Sequence, residues 1–301
     1  MSWLAKPIKK VLREKKNQSA ELEAMMEIVQ HLYEERWKNG ELRVHDKKGE
    51  GFLYGVRKNV TLNAQTNTME ISCSRKMFLR QKEEAFSRGL FNQKRLSLGG
   101  HNALLVSYEA PLLRKTSGRG GGICKLDLVA LEESAIWAIE YKQSYGQATS
   151  IRYGILESLA YGFLLACHLR DNKEGLRKQV AKCIDSRGPY PGLPPELPDT
   201  VKFSVAAPSA LYREDVRTPR RLHLTDMVTK IACGYASAAS ERLNLNLSFG
   251  GFLVIGDDQK DLACKSVLSS DTEVITYFKS LITEVPVYDD IEQVRANVEK
   301  P

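Results

Sequence analysis

Residues 125–131 (KLDLVAL) and 137–143 (WAIEYKQ) are two apolar runs that nevertheless carry Asp127, Glu140 and Lys142. Each run has strand length and is rich in Val, Ile, Leu or aromatics, and Glu132-Glu133-Ser134 between them suits a hairpin turn. A chain with such a hairpin has little freedom, because the runs must be buried while unpaired charge in a core is costly. Side chains alternate along a strand, so Glu140 and Lys142 share one face and Tyr141 takes the other. Pairing the two strands brings Asp127 to that face as well. The pattern predicts two carboxylates and an ammonium converging at one edge of a sheet.

Carboxylate oxygens are hard ligands suited to Mg²⁺ or Mn²⁺, and the Tyr141 carbonyl offers a third oxygen between Glu140 and Lys142. Lys142 is suited to orient or deprotonate an attacking water, or to neutralise a phosphate oxygen. A strand-end ion pair serving only solubility explains any one of these residues. For all three, on adjacent apolar strands, a functional site is the favoured reading over that one.

Asp127, a gap of twelve residues, then Glu140-Tyr141-Lys142 resembles the PD-(D/E)XK nuclease superfamily, the restriction-endonuclease-like fold. Upstream, Val106-Ser-Tyr-Glu109-Ala-Pro-Leu112 resembles the segment that carries an extra acidic residue in many members. Downstream, residues 150–170 read as a helix with Arg152, Glu157 and Tyr161, which resembles the helix packed beside the catalytic strands. Leu126 stands where the namesake proline would. The resemblance covers residues 100–170. It implies a mixed sheet flanked by helices, metal held by Asp127, Glu140 and the Tyr141 carbonyl with Glu109 assisting, and Lys142 as the group that positions the nucleophile. Arg152, Glu157 and Tyr161 would support that site. A carboxylate inside so apolar a helix needs a partner, and for Glu157 that is Lys142 or Arg152.

Composition narrows the partner. The chain has 301 residues, 43% hydrophobic and 27% charged, which suits a soluble globular protein with ample core. A formal charge of +7 favours an anionic partner, and nucleic acid, DNA before RNA, is the expectation. The cysteines at 73, 124, 167, 183, 233 and 264 show no Cys-x-x-Cys, so neither a disulfide framework nor a zinc site is expected and a cytoplasmic location fits. No signal peptide and no membrane-spanning run is expected. The five dispersed histidines and the lack of a Gly-x-Ser-x-Gly elbow speak against His-based and serine-hydrolase chemistry.

Along the chain, residues 1–95 read as an N-terminal helical and β extension: a helix over 1–38, strands over 52–62 and 68–74, and a helix over 75–88. A protein partner or a second copy would engage this region. Residues 96–301 read as the nuclease-like domain. After the helix at 150–170, helices are expected at 173–186, 226–243 and 271–281, strands at 201–207 and 251–255, and a stiff proline-rich loop at 190–198. Alternating strands and helices predict an α/β fold. Gly118-Arg-Gly-Gly-Gly122 is not a P-loop, since no Gly-Lys-Ser/Thr follows. With Arg114, Lys115, Arg119 and Lys125 it forms either a basic loop for a nucleic-acid backbone or a plain flexible connection.

The chemistry expected is therefore Mg²⁺- or Mn²⁺-dependent hydrolysis of phosphodiester bonds. The competing expectation is a catalytically inactive nuclease-fold protein that serves as a nucleic-acid-binding or protein-interaction scaffold.

Overall fold

The computed structural model describes residues 26–27, 42–43, 60–63, 68–71, 83–115, 123–143, 150–185, 196–256, 273 and 284–298. Its elements in chain order are β1 (Leu42–Arg43), β2 (Val60–Asn63), β3 (Thr68–Ile71), α1 (Glu83–Asn92), β4 (Arg95–Leu98), β5 (His101–Lys115), β6 (Ile123–Leu131), β7 (Ile136–Tyr141), α2 (Ile151–Asp171), α3 (Lys173–Asp185), β8 (Val201–Ala207), α4 (Ser209–Val216), α5 (Pro219–Leu243), β9 (Leu247–Val254), β10 (Val287–Tyr288) and α6 (Ile291–Val298).

Eight strands form one mixed sheet in the order β1-β5-β6-β7-β8-β9-β10, with β4 also paired to β5. The strands from β4 to β7 run antiparallel, whereas β7, β8 and β9 are parallel neighbours. β4–β5 and β6–β7 are joined by short turns and the parallel strands by segments that carry helices, as each geometry requires. β2 and β3 form a separate hairpin. The Val285 N–H donates to the Ser97 carbonyl at 2.7 Å and the Val254 N–H to the Pro286 carbonyl at 3.3 Å, so this late segment links β4 to β9.

α2 governs the packing. Every residue from Ile151 to Leu169 except Arg152 is buried, as expected of a helix that is apolar on nearly all sides. Ser150 caps it, its side chain accepting from the Tyr153 N–H. A Cβ on Gly154 would lie 2.6 Å from Val205 Cγ2 and 3.0 Å from Lys142 Cγ, and one on Gly162 would lie 2.9 Å from Phe203 Cβ. The two glycines thus let the helix settle directly onto β7 and β8. α1 lies against β5 and β6, and its Phe86 ring stacks on that of Tyr141 with centroids 4.0 Å apart. β7 is therefore covered on both faces, with every residue buried.

The expected α/β class, the hairpin, the helix after it and the helix beginning at Lys173 are all present. Other boundaries moved. The expected helix over 226–243 begins earlier, at Pro219, capped by the Thr218 side chain, and the strand expected from 251 begins at Leu247. The helix expected over 75–88 is described from Glu83 and runs on to Asn92. α4, β10 and α6 were not anticipated. Most of the helices expected over 1–38 and 271–281 lies outside the described residues, as do 190–195 of the proline-rich loop.

Candidate functional site

The site begins where the β6–β7 ladder ends. Regular pairing runs from Leu131↔Ile136 to Leu128↔Ile139. One step further Asp127 faces Glu140, but the ladder is diverted: the Tyr141 N–H donates to Asp127 Oδ2 at 2.9 Å. The N–H and C=O of one residue leave a strand on the same side, so the Tyr141 carbonyl also points toward β6. On the neighbouring strand Tyr108↔Leu128 and Ala110↔Leu126 bracket Glu109 opposite Asp127. Glu109, Asp127 and Glu140 thus occupy successive places in one row across β5, β6 and β7.

Lys142 follows β7 and is almost completely enclosed, at 2% exposure. Its ammonium donates to Glu140 Oε1 and to Glu157 Oε2, each at 2.8 Å. It also lies 5.4 Å from the centre of the Tyr153 ring. Tyr161 donates to the other Glu157 oxygen at 3.5 Å. The spacing from 153 through 157 to 161 places these three side chains on one stripe of α2. Asp127, Glu140 and Glu157 are all buried.

The electrostatics do not balance. Two carboxylates, Glu140 and Glu157, meet one ammonium and Asp127 adds a third beside Glu140, a formal charge of minus two when all are ionised. Burial pushes the Glu140 carboxyl well above its usual range, the neighbouring Asp127 charge pushes it further, and Lys142 pulls the other way. Among the described residues Glu140 Oε2, which is buried, has no hydrogen-bond partner. A buried acceptor without a donor costs about 1–3 kcal/mol.

Not every expected site residue joins the cluster. Glu109 sits at a positive φ of 42°, and its carboxylate pairs with Lys125 at 3.4 Å. Lys125, expected at a nucleic-acid backbone, is exposed and engaged in that pair. Arg152 turns from Glu157 toward Asp215 Oδ1, 3.7 Å away, so Lys142 is the partner that Glu157 takes. Arg119 and the side chains of Arg114 and Lys115 lie outside the described residues. Gln143 was not singled out from sequence, yet its side-chain carbonyl is buried and, among the described residues, has no hydrogen-bond partner; it adjoins the Lys142 motif, and that adjacency was the available signal. Asp215 was also missed, because it belongs to a helix that was not anticipated.

Whether these residues fit a divalent cation can be judged from the donors. Among the described residues no group of three His, Cys, Asp or Glu side chains is arranged to hold a metal ion by itself. Mg²⁺ commonly uses only one or two carboxylates and completes its shell with water and substrate phosphate. Asp127 and Glu140, with the Tyr141 carbonyl on the same side, meet that requirement, and the orphaned Glu140 oxygen and the excess negative charge suit a cation. The residues fit the group.

Compared with family models, curated proteins and solved structures, the chain finds no match in any of the three.

Proposed function

We propose that the protein is a metal-dependent nuclease with a restriction-endonuclease-like core, hydrolysing phosphodiester bonds of nucleic acid, with DNA as the favoured substrate. The observation that carries this reading is the buried Asp127–Glu140–Lys142–Glu157 cluster, three carboxyl groups against one ammonium, at the place where the β6–β7 ladder parts. The strand, hairpin, strand and helix context implied by the resemblance surrounds it.

Asp127, Glu140 and the Tyr141 carbonyl would hold Mg²⁺ or Mn²⁺. When bound, such an ion supplies Lewis-acid stabilisation of the charge that develops on a phosphodiester under attack. The chain's own residues do the rest. Lys142 presents an ammonium at the cluster, where it orients the nucleophilic water or neutralises a phosphate oxygen. Glu157, steadied by Tyr161, and the Tyr153 ring hold that ammonium in place, so the lysine is already positioned before substrate arrives.

The test is hydrolysis of single- and double-stranded DNA and RNA with Mg²⁺ or Mn²⁺, alongside calorimetric titration of Mn²⁺ into protein alone. Lys142→Ala is expected to lower cleavage by about 10²–10³-fold. Asp127→Asn is expected to weaken Mn²⁺ binding. Cleavage untouched by Lys142→Ala or by EDTA would overturn the reading. A protein that binds nucleic acid but neither Mn²⁺ nor turns over is the inactive scaffold instead.

A further inference from the structure

The corner between α4 and α5 carries Arg213, Arg217, Arg220 and Arg221 within nine residues. Arg213, Arg217 and Arg220 are exposed. Arg221 and Arg217 share the single carboxylate of Glu214, the latter at 3.6 Å with its side chain 74% exposed. Among the described residues Arg213 and Arg220 enter no ion pair, since Asp215, the other acid of the corner, faces inward to Arg152 and to the Thr225 hydroxyl at 2.7 Å. Among the described residues the corner thus presents guanidinium charge without a matching number of carboxylates.

Its position gives that charge a use. The Tyr212 hydroxyl hydrogen is shared between the carbonyls of Val205, at 2.9 Å, and Leu253, at 3.3 Å, and Val205 is the residue of β8 in register with Glu140. α4 is therefore pinned one strand away from the candidate site, beside the carboxyl ends of the parallel strands. The Arg152–Asp215 pair ties the same corner to the first turn of α2, and Glu157 follows Arg152 by five residues, about 7.5 Å along a helix. Thr218 caps α5 and Pro219 opens it, which fixes the angle at which the arginines leave the two helices.

We propose that Arg213, Arg217 and Arg220 form a phosphate-backbone track that holds a polynucleotide strand alongside the Asp127–Glu140–Lys142 site. The choice of ligand rests on the nuclease reading, while the track is a distinct surface. Guanidinium groups suit phosphate through their planar fork of donors. Contacts of this kind position a strand without reading its bases.

The experiment is fluorescence anisotropy with labelled single-stranded and duplex DNA in EDTA, so that binding is read without cleavage, over a range of salt. Arg213→Ala/Arg217→Ala/Arg220→Ala is compared with wild type and with Arg177→Ala/Lys178→Ala/Arg242→Ala, which removes equal charge from exposed positions elsewhere. Circular dichroism checks that both variants fold. The corner variant is expected to bind more weakly and to flatten the slope of log affinity against log salt by up to about 0.9 per arginine on duplex DNA. The control variant is expected to keep the wild-type slope. An unchanged slope in the corner variant, or an equal loss in the control, overturns the proposal. Wild-type protein that binds DNA through the corner yet never cleaves with Mg²⁺ or Mn²⁺ sinks the nuclease reading alone. Cleavage with an unchanged corner slope sinks only the track, and no binding of either DNA by wild type sinks the track as well.

Discussion

At each end of the β6–β7 hairpin a buried glutamate meets a lysine, Lys202 of β8 at the turn and Lys142 after β7 at the far end, and the two ends are built to opposite standards. At the turn, Glu132 accepts from the Trp137 indole N–H at 2.8 Å and from the Ser134 hydroxyl, and Lys202 lies 3.6 Å away. Lys202 also sits 4.8 Å from the centre of the Trp137 ring. Both carboxylate oxygens are served, and the lysine keeps partial access to water. At the far end Glu140 has one oxygen served and one orphaned, a second carboxylate beside it, and a lysine sealed from solvent. Burial of charge is common to both ends. What separates them is satisfaction: the Glu132 carboxylate has a donor for each oxygen, whereas Glu140 is left short beside a second carboxylate.

Removing the lysine at each end gives the largest expected contrast. Lys142→Ala leaves Glu140 and Glu157 buried without a countercharge and should destabilise by about 3–5 kcal/mol in urea unfolding. Lys202→Ala, at a partly exposed pair, should stay within about 1 kcal/mol. Equal losses would erase the distinction between the ends.

Acid titration sharpens it further once His168 is accounted for. The His168 Nε2–H donates to the Leu112 carbonyl at 2.9 Å, and burial pushes the ring down to about 4 from the usual 6.5. Its folded value lies below its unfolded one, so the stability it contributes is present above pH 6.5 and is lost as pH falls through about 4, by about 3 kcal/mol in all. Glu140 has the opposite sign. Its raised folded value makes its contribution fullest below 4.5, and that contribution is lost as pH rises through the folded value. Thermal melts of His168→Gln should therefore lose the wild-type acid sensitivity, and adding Glu140→Gln should remove the remaining gain on acidification. A His168→Gln protein as acid-labile as wild type would break this assignment.

Neutral substitution of the two glutamates comes next. Glu132→Gln leaves one acceptor where two donors and a lysine need service, and should cost about 1–3 kcal/mol with cleavage intact. Glu140→Gln relieves repulsion with Asp127 and should melt at the same temperature or higher while cleavage is lost. A fall in melting temperature for both would mean that the cluster is structural. The smallest contrast lies along α2. Gly154→Ala and Gly162→Ala should each cost about 1–3 kcal/mol by overpacking, but only the former presses on Lys142, so only it should depress cleavage beyond its effect on folding.

The hairpin and α2 were legible in the sequence because their signals are strong and local: apolar runs of strand length, a polar turn, and a long apolar helix opened by Ser150. The cluster was legible because alternation puts residues 140 and 142 on one face. What escaped depended on weaker or non-local terms. α5 starts at Pro219 behind Thr218, a cap-and-proline signature that was available, but its first turn, Arg220-Arg221, has no apolar spacing to draw attention. The expected strand opens at Gly251, so it leaves out the first half of β9, up to Gly250. In the fold the register shifts there, from Phe203↔Phe249 to Ser204↔Gly251, and Gly251 takes a φ of 105°, so the glycines make an irregularity inside a strand rather than an end. The capture of Glu109 by Lys125, and of Arg152 by Asp215, is set by register and by a helix far along the chain. Neither is written in local spacing.

The hydrogen bond from the Tyr141 N–H to Asp127 also acts as an alignment key for folding. A strand that slips by one residue presents every side chain to the wrong face. If β6 slipped on β7, Leu126 or Leu128 would meet that N–H, depriving it of its charged acceptor and stranding the Asp127 carboxylate away from its donor. Both errors are penalised at once, so the hairpin is proofread by the residue proposed to bind metal. An asparagine there keeps an oxygen for the N–H and hence the key, while alanine discards it, so mispaired chains and not merely inactive ones are the expected product of Asp127→Ala.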